Sequence, residues 1–475
     1  PTTFKNRSTP APSTRSMACK AQTSGRIYLH SGPRTELHEI IRQEYARHQD
    51  RAVPRNTLRQ AVQGMLDTFA YQNFDAAAGE YTNRCCRPPR ETEMRPWRLV
   101  TEIGWTGGGV LAYPLVLCRD ALGADAEAPL AAAMSGEQLF DRIADAYNEN
   151  SGLLNDLMAP NAAGSQVNGW WTGYGLVKDC HCAYTVGSAV HYLTKTMDYL
   201  HQNGKPCPAK WMDAAQKVLH TVMDLQRADG AFGYTYSTQE RKVLDWSGFA
   251  GCWFAPALVY LYRLTGEERC LHSAEKALDY YHTFVKDLYC YGTPMDTWKA
   301  VDEEGNLAFM RGSRLLYEQT GKAEFLQYMK DSAGYEFLWR YGYKTYPEHT
   351  PLNQGWSACG GAVTSVSNPH IHPMGVIIDT DLRYLARVTG DGYYASRAAD
   401  SAAWMLQCLE LYPAATGYGR YGILSERWCP SDGLDVERFS DGRPFSSWFS
   451  HNLWASACVL EAACELLLEI EHKKG

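Results

Sequence analysis

A chain of 475 residues with 45% hydrophobic and 21% charged side chains reads as a globular protein with ample material for a core. A formal charge of -7 and the absence of any Lys/Arg block exclude nucleic acid as the expected partner, and no run of about eighteen apolar residues is present to span a membrane. Aromatics at 12%, with 14 Trp and 30 Tyr, are the unusual entry in the composition: they either fill gaps between helices or line a cleft that stacks sugar rings.

The 15 cysteines, an odd number, fall mostly in apolar helical runs, as at Cys252, Cys408, Cys458 and Cys464. That fits free thiols packed as small hydrophobes in a reducing, cytoplasmic compartment. Cys85-Cys86 and Cys180-His181-Cys182 lack the two-residue spacer of a structural zinc site, so no metal and no cofactor is expected.

The chain opens on PTTFKNRSTPAPSTRS, rich in Ser, Thr and Pro and without an apolar stretch, which is not a signal peptide. With no initiating Met, residues 1–54 read as a lead or linker from an upstream domain, IIRQEYARHQD being a connecting helix. Residues 55–475 form the body.

Within that body two kinds of helix alternate. Amphipathic stretches run from Leu58 to Phe74, Gly136 to Asn148, Lys210 to Leu225, Glu268 to Lys286, Glu324 to Arg340 and Tyr393 to Leu411. Stretches apolar on nearly every face run from Glu102 to Leu122, Ala183 to Leu200, Gly248 to Leu264, Leu307 to Gln319, Met374 to Val388 and Trp448 to Leu468. Three of the crowded helices stop at a Thr-Gly pair, at Gly266, Gly321 and Gly390, with almost no loop before the amphipathic helix that follows. A recurring pair of this kind means a helical repeat array. Six crowded helices ringed by six half-wet ones form an all-α, (α/α)6 barrel, a toroid of six inner and six outer helices.

Loop length locates the function. Links leaving the crowded helices are short, whereas those entering them are long: Asp75 to Thr101, Ser151 to Cys182, Asp229 to Ser247, Leu288 to Asn306, Tyr341 to Pro373 and Tyr412 to Ser447. All six long links gather at one end of the barrel, and long loops on a rigid scaffold are where sites are built. They carry Trp105, Trp170, Trp171, Tyr236, Trp246, Trp298, Trp356 and Trp448, interleaved with acids that include Glu102, Asp179, Asp245, Asp296, Asp302, Glu303 and Glu426. Aromatic platforms beside paired carboxylates are what glycosidic cleavage requires: one group protonates the leaving oxygen and another handles water or the oxocarbenium charge.

The helix pattern, the long-link aromatics, LQRADGAFGY and the Thr-Gly boundaries resemble the six-hairpin glycosidase superfamily, which includes unsaturated glucuronyl and rhamnogalacturonyl hydrolases. The resemblance covers roughly residues 55 to 470 and implies the (α/α)6 fold and a sugar-active class. Polysaccharide lyases and sugar epimerases have similar toroids.

The candidates have dull readings as well as functional ones. Asp245, beside Trp246, is a catalytic carboxylate or the N-cap of the helix behind it; Asp179 and Asp296, from the neighbouring links, are its partners, and Asp229-Gly230 reads as a turn. His181 accompanies Asp179. His370 and His372, two apart in NPHIHPMG, point the same way if extended and suit contact with a substrate carboxylate or hydroxyls. Glu426, Arg427 and His451 complete the expected substrate contacts, Arg427 by bidentate pairing to a uronate. The reading is a cytoplasmic glycoside hydrolase acting on an oligosaccharide, with uronic acid as one possible constituent. Its alternatives are a lyase or epimerase on the same toroid, or a domain that binds sugar without turnover.

Overall fold

The computed structural model describes residues 36–48, 51–75, 80–86, 95–100, 102–104, 107–123, 127–155, 180–294, 299–345, 357–409, 411, 422, 424–426, 428, 449–451 and 453–472. A first helix, α1 (Leu37–Arg47), is followed by alternating outer and inner helices. The outer members are α2 (Leu58–Thr68), α4 (Glu127–Asp145), α6 (Ala209–Asp224), α8 (Glu268–Lys286), α10 (Ala323–Trp339) and α12 (Gly392–Cys408). The inner members are α3 (Gly109–Leu122), α5 (Ala183–Gln202), α7 (Phe254–Thr265), α9 (Glu304–Thr320), α11 (Asp379–Thr389) and α13 (Leu453–His472). Each inner helix packs on the next, and α13 packs back on α3, so the ring closes; each outer helix lies against its inner partner. The protein is an (α/α)6 barrel.

Apolar periodicity explains the two layers. Tyr281, Leu278, Ala277, Ala274 and Cys270 of α8 are buried while Glu268, Glu275 and Lys286 lie between them on the wet side. On α7 every residue from Phe254 to Leu261 is buried, because a helix enclosed by two ring neighbours and an outer partner has no wet face. Each such Leu or Phe contributes roughly 2 kcal/mol of transfer free energy.

Helix limits differ from expectation at several ends: α2 stops at Thr68 before a π-helical turn, and α7 and α11 start at Phe254 and Asp379 after 3-10 turns. The α3 helix begins at Gly109 rather than Glu102, since Gly104, Gly107 and Gly108 are poor helix formers. The α4 helix begins at Glu127, well before Gly136, because the Ala-rich run EAPLAAAM continues the helix. The α13 helix begins at Leu453, after residues that join a sheet.

Small antiparallel sheets organise the long links. Strands β1 (Phe74–Asp75), β2 (Glu80–Cys86) and β3 (Arg95–Val100) come from the first link. Strand β4 (Tyr147–Asn148) precedes the second, β5 (Leu153–Leu154) and β6 (Cys180–Cys182) lie at its two ends, and β7 (Thr235–Ser237) and β8 (Val243–Asp245) in the third. Strands β9 (Ala362–Ser365) and β10 (Asn368–His372) form a hairpin in the fifth, and β11 (Phe449–His451) precedes α13. β11 pairs with β2 through Phe449 opposite Cys86 and His451 opposite Arg84, which ties the last link to the first. β6 pairs with β7 and β7 with β8, joining the second link to the third.

The opposite end is turned by a repeated device. Gly266, Gly321 and Gly390 adopt the left-handed conformation, at φ 72°, 65° and 69°, directly after α7, α9 and α11. The threonine before each glycine donates its hydroxyl to a carbonyl one turn back, from Thr265 to Leu261 (2.8 Å), Thr320 to Leu316 (2.8 Å) and Thr389 to Leu385 (2.7 Å). The same oxygen accepts the amide of the residue after glycine, Glu267, Lys322 or Asp391, at 3.2 to 3.3 Å. Thr-Gly therefore stops one helix and holds the start of the next.

Helix α1, within the segment read as a lead, is docked on the barrel. Arg42 of α1 makes a bidentate pair with Asp391 at 2.7 and 2.9 Å, and the Tyr45 hydroxyl donates to Asp400 Oδ2 at 2.6 Å. Among the described residues no helix is long and apolar enough to cross a membrane.

Candidate active site

Every inner helix starts at the end where the long links gather, so side chains projecting inward from those first turns line the barrel mouth. In the ring α5 neighbours α3 and α7, while α9 neighbours α7 and α11; a bond from α5 to α9 passes inside α7, through the barrel interior. The Tyr184 hydroxyl of α5 makes such a bond, donating to Glu304 Oε2 of α9 at 2.5 Å, and lies 3.8 Å from Met374 Sδ just ahead of α11. Tyr184 and Glu304 are 1% and 4% exposed. A charge-assisted bond this short fixes the carboxylate's direction.

Aromatic and imidazole groups come from two more inner helices' approaches. The His372 ring stacks on the Trp454 indole of α13 with centroids 6.1 Å apart and planes 19° from parallel. His372 Nδ1 lies 2.8 Å from the carbonyl oxygen of His370; a carbonyl only accepts, so Nδ1 carries the proton and Nε2 turns its lone pair to the other side of the ring. His370 and Glu426 belong to the same corner, since Ile371 exchanges backbone hydrogen bonds of 2.8 and 3.0 Å with Trp428. Glu102, 2% exposed, lies on the approach to α3.

Asp245 ends β8, and its environment corrects one of its two readings. The helical stretch behind it begins at Ala250 with Phe249 ahead of it, so Asp245 caps no helix. Its Oδ1 accepts from the Ser247 amide (2.8 Å) and hydroxyl (2.7 Å), closing a local turn, while Lys299 Nζ donates to Oδ2 at 2.6 Å. Burial pushes its pKa up, but Lys299 and Ser247 outweigh that and hold the carboxyl below its usual range. Asp245 is thus equipped as an ionised base or nucleophile rather than as an acid. Beside it, Trp246 is half-buried, with the Arg227 guanidinium 5.1 Å from the ring centroid covering one face. Arg227 also pairs with Asp229, at 2.8 and 2.7 Å, in the turn the Asp-Gly pair suggested.

Three expected substrate contacts are instead packed inside the link layer. Tyr236 is 1% exposed, lies edge-on to Phe254 and accepts the Gly233 amide on its hydroxyl at 2.8 Å. His181 is 1% exposed and meets the Ser151 hydroxyl at 2.8 Å, with burial lowering its pKa to about 4. His451 is fully buried where β11 joins the barrel, with Nδ1 3.0 Å from the Leu424 carbonyl and Nε2 3.3 Å from Asn73 Oδ1. The short strands that carry them are packed into the link layer, with all three residues of β6 buried. Asp179, Asp296, Trp105, Trp170, Trp171, Trp298, Trp356, Arg427 and Trp448 lie outside the described residues. Among the described residues no group of three or more His, Cys, Asp or Glu side chains is arranged to hold a metal ion.

No protein-family model and no curated protein matches the sequence. Solved structures do match in fold. A family 76 glycoside hydrolase, a mannosidase from Bacteroides thetaiotaomicron VPI-5482, superposes with a TM-score of 0.54 at 13% identity, covering 87% of this chain and 99% of that one. An unsaturated glucuronyl hydrolase specific for heparin gives 0.51 at 11% identity, with 91% and 98% covered. What this chain shares with them is the (α/α)6-barrel fold. A cellobiose 2-epimerase from Spirochaeta thermophila DSM 6192 shares it as well, at a TM-score of 0.54 and 12% identity, with 92% and 100% covered.

Two buried charged layers close the six-hairpin barrel below and behind the mouth. Lys195 of α5 pairs, past α3, with Glu461 and, at 2.7 Å, with Glu465 of α13; Arg311 of α9 pairs with Asp381 of α11 at 2.8 Å. Thr380 and Tyr113 donate to Glu465 at 2.9 and 3.0 Å. Beneath this floor a cavity of about 320 Å³ opens at the short-link end of the six-hairpin barrel. Between the rings, Arg340 bonds Glu336 Oε1 at 2.7 and 3.0 Å and Asp379 Oδ1 at 2.8 Å, with Glu303 packed against the same site. One cation among three buried carboxyls leaves excess negative charge, and burial pushes Asp379 up to about 7 and Glu303 well above its ordinary value. Glu303 has no exposed surface, whereas the neighbouring Glu304 meets the Tyr184 hydroxyl inside the ring.

Glu304 and Tyr184 were not among the sequence candidates. Their signal is a polar or hydroxylated residue in the first turn of an otherwise crowded helix. Lys195, Arg311 and Glu461 carry the same signal one to three turns deeper: a helix buried all round keeps a charge only where partners on other helices receive it.

Proposed function

We propose that this protein is a glycoside hydrolase cleaving an oligosaccharide in the barrel mouth. The observation that carries the reading is the Tyr184–Glu304 bond inside the helix ring, which holds a carboxylate at the first turn of α9, on the end where the stacked His372 and Trp454 also stand. Glu304 is the carboxylate that faces the anomeric carbon or its attacking water, and Asp245, kept ionised by Lys299, is the second charged group at the rim. Asp179 and Asp296, from the adjoining links, are the candidates for the acid that protonates the leaving oxygen. His370, His372, Glu102, Glu426 and Arg427 read sugar hydroxyls or a uronate carboxylate, and the link tryptophans stack on sugar faces. Eleven described cysteines carry free thiols, ten of them buried, which supports a reducing compartment.

The test is a panel of aryl glycosides and aryl uronides, read for released phenol and, separately, for the absorbance of an unsaturated product. Phenol release without the absorbance supports the hydrolase; the absorbance alone means a lyase; binding without either means a carbohydrate-binding domain.

One observation favours a second reading. His372 has a fixed tautomer and an aromatic backing, as proton abstraction beside a sugar carbonyl requires. The epimerase reading predicts deuterium uptake from D2O at a sugar carbon of a reducing disaccharide, followed by NMR, with no bond cleaved.

A further inference from the structure

The third and fourth long links are joined at a point where the backbone is strained. Lys299 has φ 56°, one of two non-glycine residues with positive φ among those described, a conformation that costs an L-residue roughly 1 kcal/mol. Its Cα lies 3.5 Å, and its Cγ 3.3 Å, from where a Cβ on Gly292 would sit; the Gly248 Cα is equally near at 3.5 Å. Gly248 and Gly292 themselves take φ 148° and 74°, and a Cβ on Gly248 would stand 2.5 Å from the Tyr234 ring. Two bare backbones let the links touch, and the touching places Lys299.

The ammonium that results has three partners. It donates to Asp245 Oδ2 at 2.6 Å and to the Ser247 hydroxyl, and it stands 4.4 Å from the centroid of the Tyr234 ring. The groups facing Asp245 are therefore Lys299 from the fourth link, Ser247 from its own link, and the rings of Tyr234 on the approach to β7 and Tyr291 in the fourth link. Lys299 is the one cation among them. Backbone strain at a lysine that ends on a rim carboxylate has no packing purpose, since Lys299 is 26% exposed on its side chain and fills no core.

We propose that Lys299 is a positioning residue: held by the Gly248–Gly292 contact, it fixes the direction and the charge of the Asp245 carboxylate for the reaction at the mouth. This rests on the hydrolase reading. Lys299 does not touch the reacting atoms; it acts through Asp245. Burial of Asp245 favours its neutral form, and without the ammonium only the Ser247 bonds oppose that.

The deciding variant is Lys299→Asn, because asparagine tolerates the left-handed conformation and keeps the link backbone while removing the ammonium. Lys299→Arg is the conservative control. The Asp245 carboxyl carbon is followed by NMR through a pH titration, assigned by its loss in Asp245→Asn, alongside the pH profile of kcat/KM. The expected result is that Lys299→Asn moves the carboxyl titration to higher pH, and lowers kcat/KM on the acid limb by roughly fivefold or more, with thermal melting retained. Lys299→Arg stays near the parent in both. A titration unmoved in Lys299→Asn overturns the assignment, and so does a moved titration with an unmoved acid limb. The carboxyl titration needs no turnover, so it speaks to Lys299 even when no panel substrate is cleaved; a failed hydrolase reading shows instead as no phenol released by the parent protein from any member of the panel.

Discussion

At the residue scale, the difference between a chemical candidate and a packed one is set by what each side chain faces. His181 and His451 were candidates because they stand at helix approaches beside acids, yet both are enclosed, and burial lowers each to about 4. The sign follows from linkage: above the ordinary value of about 6.5 folded and unfolded chains are both neutral there, and as pH falls toward 4 only the unfolded chain takes up the proton. Each histidine thus costs up to about 3 kcal/mol of stability across that window. Urea unfolding at pH 7 and pH 4.5 checks this. His451→Gln is expected to show a smaller loss between the two pH values than the parent, and an equal loss would place His451 in contact with water. The enclosure of His451 was not legible because it follows from the pairing of β11 with β2, and a three-residue strand has too little pattern to read. Asp245 was legible as a rim acid; its partner Lys299 was not, because the pairing depends on two distant glycines.

At the element scale, the alternation of crowded and amphipathic helices was legible throughout, since enclosure by neighbours is written directly in which faces are apolar. The π-helical turn at Phe69–Asn73, the 3-10 turns ahead of α7 and α11 and the two- to seven-residue strands were not; they answer to tertiary pairing rather than to local propensity. The Thr-Gly stops are the clearest local code. Gly321 has open space where a Cβ would go, so Gly321→Ala meets only the backbone penalty. It is expected to lose roughly 1 kcal/mol, with Gly321→Asn losing less. Equilibrium urea midpoints measure both, and an Ala variant as stable as the parent would contradict the left-handed cap.

For the whole molecule, the striking economy of short links at one end and long links at the other was readable from loop lengths alone. The polar barrel axis was not, because no single helix reveals which of its faces points at the axis. Lys195, with its side chain 4% exposed and paired to Glu461 and Glu465, ties α5 to α13 inside the ring, past α3. Lys195→Met leaves buried carboxylates uncompensated and is expected to cost about 3 to 5 kcal/mol; a double variant that also replaces Glu461 with Leu recovers part of the loss, which a double-mutant cycle in urea reads out. The central claim, that the mouth of this barrel hydrolyses a glycosidic bond with Glu304 as the carboxylate inside the ring, is tested most directly by turnover of Glu304→Gln on whichever aryl glycoside the parent cleaves. Glutamine keeps the oxygen that meets the Tyr184 hydroxyl and removes the charge. The account predicts a loss of kcat of about a hundredfold or more with the thermal transition unchanged; Glu304→Gln turning over at the parent's rate would contradict it.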